Sequence, residues 1–232
     1  MAKWIWPPRH DVWVHFDSFV GAAFMGLSNA SASNRAIILA ALAIVSAILS
    51  NFAGHDGIPR VAVWEVPLLP GVFFGTVLAL AIWLWVSRRI FTIAVILLAT
   101  VLAWFAAWTT ALYAFESIQK MLDEIAAPGK IFPTINFTLA VCGVLGGLVG
   151  SATLTFALSL VCKEFGRFEN WARIVMPGTA LGVLLELLAK DDKFALHLGT
   201  LLPLFLAWQV TVAAVIGYCI VPRSGDGKLA PH

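Results

Sequence analysis

Glu186 and Lys190 stand four residues apart in a run that reads as helical, with Asp191, Asp192 and His197 close behind. Ionisable side chains in or beside an apolar run mark proton, ion or substrate sites, because placing them there is costly. A Glu four residues before a Lys puts both on one helix face in the favourable order. The ordinary reading of this polar cluster is therefore an interfacial ion pair near the outer end of a helix. The sharper reading is a proton or cation ligand at an outer vestibule, shared with His197, Asp191 or Asp192. A third reading makes Asp191, Asp192 and His197 the acid/base groups of an enzyme acting on lipid.

Other chemistry is poorly supplied. His10, His15, His55 and His232 fall in expected tails or loops. Bis-histidine haem needs paired axial ligands at depth, so it is disfavoured, as are metal clusters built from many histidines. Cys142, Cys162 and Cys219 lie in or at the ends of apolar runs. No pair has metal-ligand spacing, and an odd count gives no disulfide framework. There is no Gly-x-Ser-x-Gly elbow, no His-Glu-x-x-His and no nucleotide-binding loop. The triplets starting at Asn29 and Asn136 match the glycosylation pattern and are read as chance matches. A net charge of +2 offers no basic face for nucleic acid.

Two packing features are more informative. Gly143, Gly147 and Ser151 recur at steps of four, as do Gly146 and Gly150. Small residues at that step let helix backbones approach closely, so this face is expected to pack on another helix of the chain or on a second subunit. Trp104 and Trp108 share a helix face, and Trp208 also falls deep in an apolar run. Ordinary packing is the default for these rings; a face for bound lipid, quinone or pigment is the alternative. Thr134, Asn136, Gln209 and Thr211 are expected interhelical hydrogen-bonding residues, and Pro133, Pro177 and Pro203 expected kink sites.

The elements that carry these residues follow from composition. Of 232 residues, 60% are hydrophobic and only 12% charged. A soluble domain carries about 25% charged residues, so lipid is the natural solvent for this chain. A crossing helix needs about 20 mostly apolar residues. Six runs qualify: Arg35–Phe52, Val66–Val86, Ile90–Tyr113, Pro133–Val161, Trp171–Leu188 and Leu196–Val221. The fifth is the weakest, since it holds Pro177 and Glu186. Only Ser87, Arg88 and Arg89 separate the second run from the third, which demands an antiparallel hairpin.

The expected fold is thus an all-α integral membrane bundle of about six transmembrane helices, with two amphipathic helices beside it. One is Asp11–Leu27, where Phe16, Phe19, Val20, Ala23, Phe24 and Leu27 form a stripe and Trp4, Trp6 and Trp13 supply anchors. It is read as interfacial or re-entrant rather than spanning, because His15 and Asp17 would be costly to bury, with docking on a partner as the remaining alternative. Ser28–Asn34 then offers an N-cap for the first span. The other is a short outer helix over Phe115–Ala126, striped by Ile118, Met121, Leu122 and Ile125. It either continues the third span or lies on the membrane, covering the outer helix ends, with contact to another subunit as the alternative. The organisation is residues 1–34 as tail and interfacial segment, 35–221 as the membrane domain and 222–232 as a short cytoplasmic tail.

Placing both termini in the cytoplasm puts Lys3, Arg9, Arg35, Arg88, Arg89, Lys163, Arg167, Arg173, Arg223 and Lys228 inside. Arg60, Lys120, Lys130, Lys190 and Lys193 are then outside. This bias matches the positive-inside rule, and the expected location is a bacterial inner membrane. The residues point first to a non-catalytic membrane subunit, structural, scaffold or accessory, that meets lipids and other subunits or itself. The alternative is a small transporter or channel using Glu186, His197, Asn136 and Gln209.

Overall fold

A computed structural model describes residues 30–52, 60–61, 66–125, 135–185 and 202–221. Six α-helices account for most of them: α1 (Ala32–Phe52), α2 (Leu69–Trp85), α3 (Ile90–Ile125), α4 (Ile135–Val161), α5 (Phe168–Gly182) and α6 (Leu202–Cys219). Two short strands, β1 (Arg60–Val61) and β2 (Val66–Pro67), pair antiparallel ahead of α2. Four helices, α1, α3, α4 and α6, are long and apolar enough to cross a membrane. The chain is an apolar helical protein consistent with integral membrane placement. α2 is a shorter apolar helix. α5 is shorter still, at 15 residues, and carries Glu169, Asn170 and Arg173 in its first two turns. The segment Asp11–Leu27 lies outside the described residues.

Local chemistry sets several helix boundaries. Ser31 caps α1: its Oγ accepts the Asn34 N–H at 3.2 Å, satisfying one donor the helix start leaves free. Pro70 sits in the first turn of α2, where a missing N–H costs nothing. At the α2–α3 turn the Ser87 N–H reaches back to Ile82 O at 2.8 Å, and Ser87 Oγ accepts the Arg89 N–H at 3.3 Å. A 3-10 turn (Lys163–Gly166) joins α4 to α5 and buries Phe165 beneath it.

The helices form a closed ring. Each packs on its sequence neighbours, and α1 closes the circle on α6 through the most extensive contact in the fold. Leu39, Phe74, Leu78, Ile82, Leu154, Leu158, Ile174, Val212 and Ile216 fill the interior. The start of α1 meets the end of α6, and the start of α5 meets the same end. That end also carries the α2–α3 turn and the 3-10 turn, and so holds Arg35, Arg88, Arg89, Lys163, Arg167 and Arg173.

α3 is one unbroken helix. The expected third span and outer amphipathic helix are a single element of 36 residues, about 54 Å long at 1.5 Å per residue. Nothing between Tyr113 and Phe115 breaks a helix, so the hydrogen-bond ladder runs through. Its most apolar stretch is only 17% buried, against 39% in each of the other three long helices.

Candidate functional site

The small residues of α4 serve two faces at once. Gly143 and Gly147 lie against Gly182 and Gly178 of α5 so closely that an added Cβ at either would overlap a backbone carbonyl oxygen. Ser151 continues the row: a Cβ on Gly178 would lie 2.7 Å from Ser151 Cβ. Ser151 Oγ returns its hydrogen bond to Gly147 O at 2.5 Å, so its polarity stays within α4. Gly146 and Gly150 face α3, where a Cβ would come within 2.8 Å of Ala107 O and Ala107 Cβ respectively. The partner of this small-residue face is the same chain. Gly178 and Gly182 have the same four-residue step, and that spacing was the available signal for the matching surface.

The α1–α6 contact combines apolar packing through Leu39, Ala43, Val212, Ala213 and Ile216 with polar side chains toward either end. Arg35 is 6% exposed, and the backbone of α6 approaches it closely at Gly217. Its guanidinium donates to Gly217 O at 3.3 Å, Ile220 O at 2.6 Å and Ala30 O at 2.5 Å. The last carbonyls of a helix lack partners and carry partial negative charge, so a fork of cationic N–H groups answers both needs. Toward the opposite end, Gln209 is 1% exposed and its Nε2 donates to Ser50 Oγ at 3.2 Å. Gln209 Oε1, Asn51 Oδ1 and Ser46 Oγ are buried with no hydrogen-bond partner among the described residues.

A third group joins the 3-10 turn to α5 and α6. The Cys162 thiol donates to Glu164 Oε2 at 2.9 Å. Asn170 Nδ2 donates to the Glu164 carbonyl at 2.8 Å. Asn170 Oδ1 in turn accepts from the Cys219 thiol and from Arg173, each at 3.4 Å. The bond from Cys162 holds the Glu164 carboxyl below its usual range, helped by the charges of Arg167 and Lys163 against some desolvation. Burial, reinforced by Glu164, pushes the Cys162 thiol up to about 12. A thiol held neutral is a poor nucleophile, so the network acts as a brace across the chain reversal. Sequence spacing gave no warning of it, since Asn170 and Cys219 are brought together only by the ring.

The aromatic residues split between two clusters. Trp104 packs on Trp108 with centroids 5.8 Å apart and on Phe205 of α6 at 5.5 Å. Trp208 meets Phe74 of α2 edge-on at 5.5 Å and packs with the main core. Glu186, Asp191, Asp192 and His197 lie outside the described residues, as does Thr134. Asn136 lies in the first turn of α4. Among the described residues no three His, Cys, Asp or Glu side chains are grouped to hold a metal ion. Comparison with protein-family models, with curated proteins and with solved structures gives no match to this chain.

Proposed function

We propose that the chain is a non-catalytic integral membrane subunit, a scaffold or accessory component of a larger membrane assembly. The observation that carries this reading is the length of α3. About 54 Å of helix exceeds the roughly 30 Å hydrocarbon layer, leaving several turns beyond it. Those turns present Met121 at 52% exposure within the stripe of Ile118 and Leu122, beside the charged residues Glu116, Lys120 and Glu124. An apolar stripe in water stabilises nothing until something covers it, and the occupant proposed is another membrane protein subunit. The character of the interior agrees. The one buried charged side chain among the described residues is Arg35, and backbone carbonyls hold it.

In this reading all six helices cross the bilayer, α2 and α5 as short members of the ring, and the cation-rich end faces the cytoplasm. A photo-crosslinker at position 121 in native membranes is expected to give one adduct with a distinct polypeptide. The same group at the lipid-facing position 98 gives none. Equal, diffuse labelling from both positions overturns the proposal. A small transporter or channel is the runner-up, favoured by the buried polar side chains Gln209 and Asn51. Flux in proteoliposomes that is abolished by Glu186→Gln would establish that reading instead.

A further inference from the structure

We propose that Ser50, Asn51 and Gln209 form a binding site for one desolvated monovalent cation, an alkali metal ion, at the C-terminal turn of α1. The starting point is unsatisfied oxygen. Gln209 uses its amide N–H on Ser50 and leaves Oε1 without a partner, and the adjacent Asn51 leaves Oδ1 in the same state. Both side chains are more than nine-tenths buried. In hydrocarbon an unpartnered polar atom costs several kcal/mol, so a missing donor or cation is the natural completion.

The chemistry of the set narrows the ligand. Ser50 Oγ, Asn51 Oδ1 and Gln209 Oε1 are neutral oxygens, and no buried carboxylate occurs among the described residues. Divalent ions call for carboxylates, and soft metals call for thiolate or imidazole. Neutral carbonyl and hydroxyl oxygens replace the hydration shell of an alkali ion. The local field has the matching sign. Ser50 and Asn51 occupy the last turn of α1, the negative end of its dipole, and that turn contains no basic residue. Phe205 lies one turn from Gln209 and packs with Ala47, Trp104 and Trp108. Burial of Ser50, Asn51 and Gln209 lowers the local dielectric, which strengthens attraction to a bound charge.

The test uses the full chain in mild detergent. Thermal unfolding is followed in N-methyl-D-glucamine chloride, NaCl and KCl at equal ionic strength. The expected result is a saturable rise in Tm with Na+ or K+, roughly 5 °C or more at a hundredfold excess over Kd. Gln209→Leu and Asn51→Leu are expected to abolish the rise, and the milder Ser50→Ala to weaken the apparent affinity several-fold. Equal Tm in all three salts overturns the proposal and leaves water on the buried oxygens. A full rise at unchanged apparent affinity in Ser50→Ala, or a full rise in either leucine variant, also overturns it. The salt comparison on the unaltered chain and on Ser50→Ala decides the matter even if a leucine variant fails to fold.

Discussion

The α4–α5 and α1–α6 contacts close the same ring, and they differ in how far polar side chains take part. Between α4 and α5 side chains are removed, and Gly143, Gly147, Gly178 and Gly182 bring backbone against backbone. Between α1 and α6 polar side chains are inserted, with Arg35 at one end and Gln209 with Ser50 toward the other. The first contact relies on van der Waals packing, which vanishes or clashes when one atom is added. The second adds hydrogen bonds, which can be lost singly, to a seam that also has apolar packing and one close backbone approach at Gly217. The glycine seam should therefore fail abruptly on substitution, and the polar side chains of α1 and α6 should yield by degrees.

The sharpest break should come at Gly143 and Gly182. The atom a new Cβ meets is a carbonyl oxygen of the opposing helix, which no rotamer change can move aside. Overpacking in a filled interior costs about 1–3 kcal/mol, and a backbone obstacle belongs at the top of that range or above it. Gly182→Ala should lower the unfolding midpoint in detergent strongly and reduce the yield of folded protein. Gly166→Ala supplies the control, because nothing lies within 4 Å of its added Cβ. Equal loss in both variants would mean that close approach is not what joins α4 to α5.

Arg35 comes next. Arg35→Met keeps apolar bulk but leaves the carbonyls of Gly217 and Ile220 without their donor. Hydrogen bonds from charged groups contribute about 1.5–3 kcal/mol, so a loss of about 2–3 kcal/mol is expected. Arg35→Lys should restore only part of it, since one ammonium cannot reproduce the fork. Full rescue by Lys would reduce the interaction to plain charge against the helix end. Gln209→Leu should cost less, below about 1 kcal/mol in buffer without alkali ions, as interhelical side-chain bonds in membranes average about 0.6 kcal/mol. Chemical unfolding of the three variants side by side measures this order.

Much of this architecture could be read in the sequence, because period and length alone report a helix in lipid. Residues 90–125 illustrate the limit. The apolar run and the amphipathic stripe were both visible, but their fusion into one helix depends on the absence of a breaker, which is a weak signal. The small-residue face of α4 was legible for a related reason: a step of four has meaning without knowledge of the partner. Arg35 was not. A cation at the start of a span counts toward topology, and nothing local says that its guanidinium will reach carbonyls 182 and 185 residues away. The same holds for Cys219 and Asn170, 49 residues apart.

The smallest effect concerns the turn that leads α4 into α5, and it sharpens the comparison from the glycine side. Glu164 in the folded chain titrates below its ordinary value of 4.5. A carboxyl depressed in this way contributes stability above its unfolded value, and loses it as pH falls through the folded one. Cys162 is raised from 9.0 to about 12. The unfolded thiol ionises from about pH 9 while the folded one stays protonated, so stability declines between pH 9 and about 12. Unfolding midpoints should form a plateau between these limbs. Glu164→Gln should flatten the acid limb modestly, because water screens the half-buried carboxylate, and Cys162→Ala should flatten the alkaline one. The Cys162 thiol should also resist alkylation at pH 8. An acid limb unchanged in Glu164→Gln would remove this brace from the forces closing the turn. The α4–α5 seam would then rest on its glycine and apolar contacts without help from polar side chains, which would sharpen its contrast with the α1–α6 seam and the hydrogen bonds of Arg35 and Gln209.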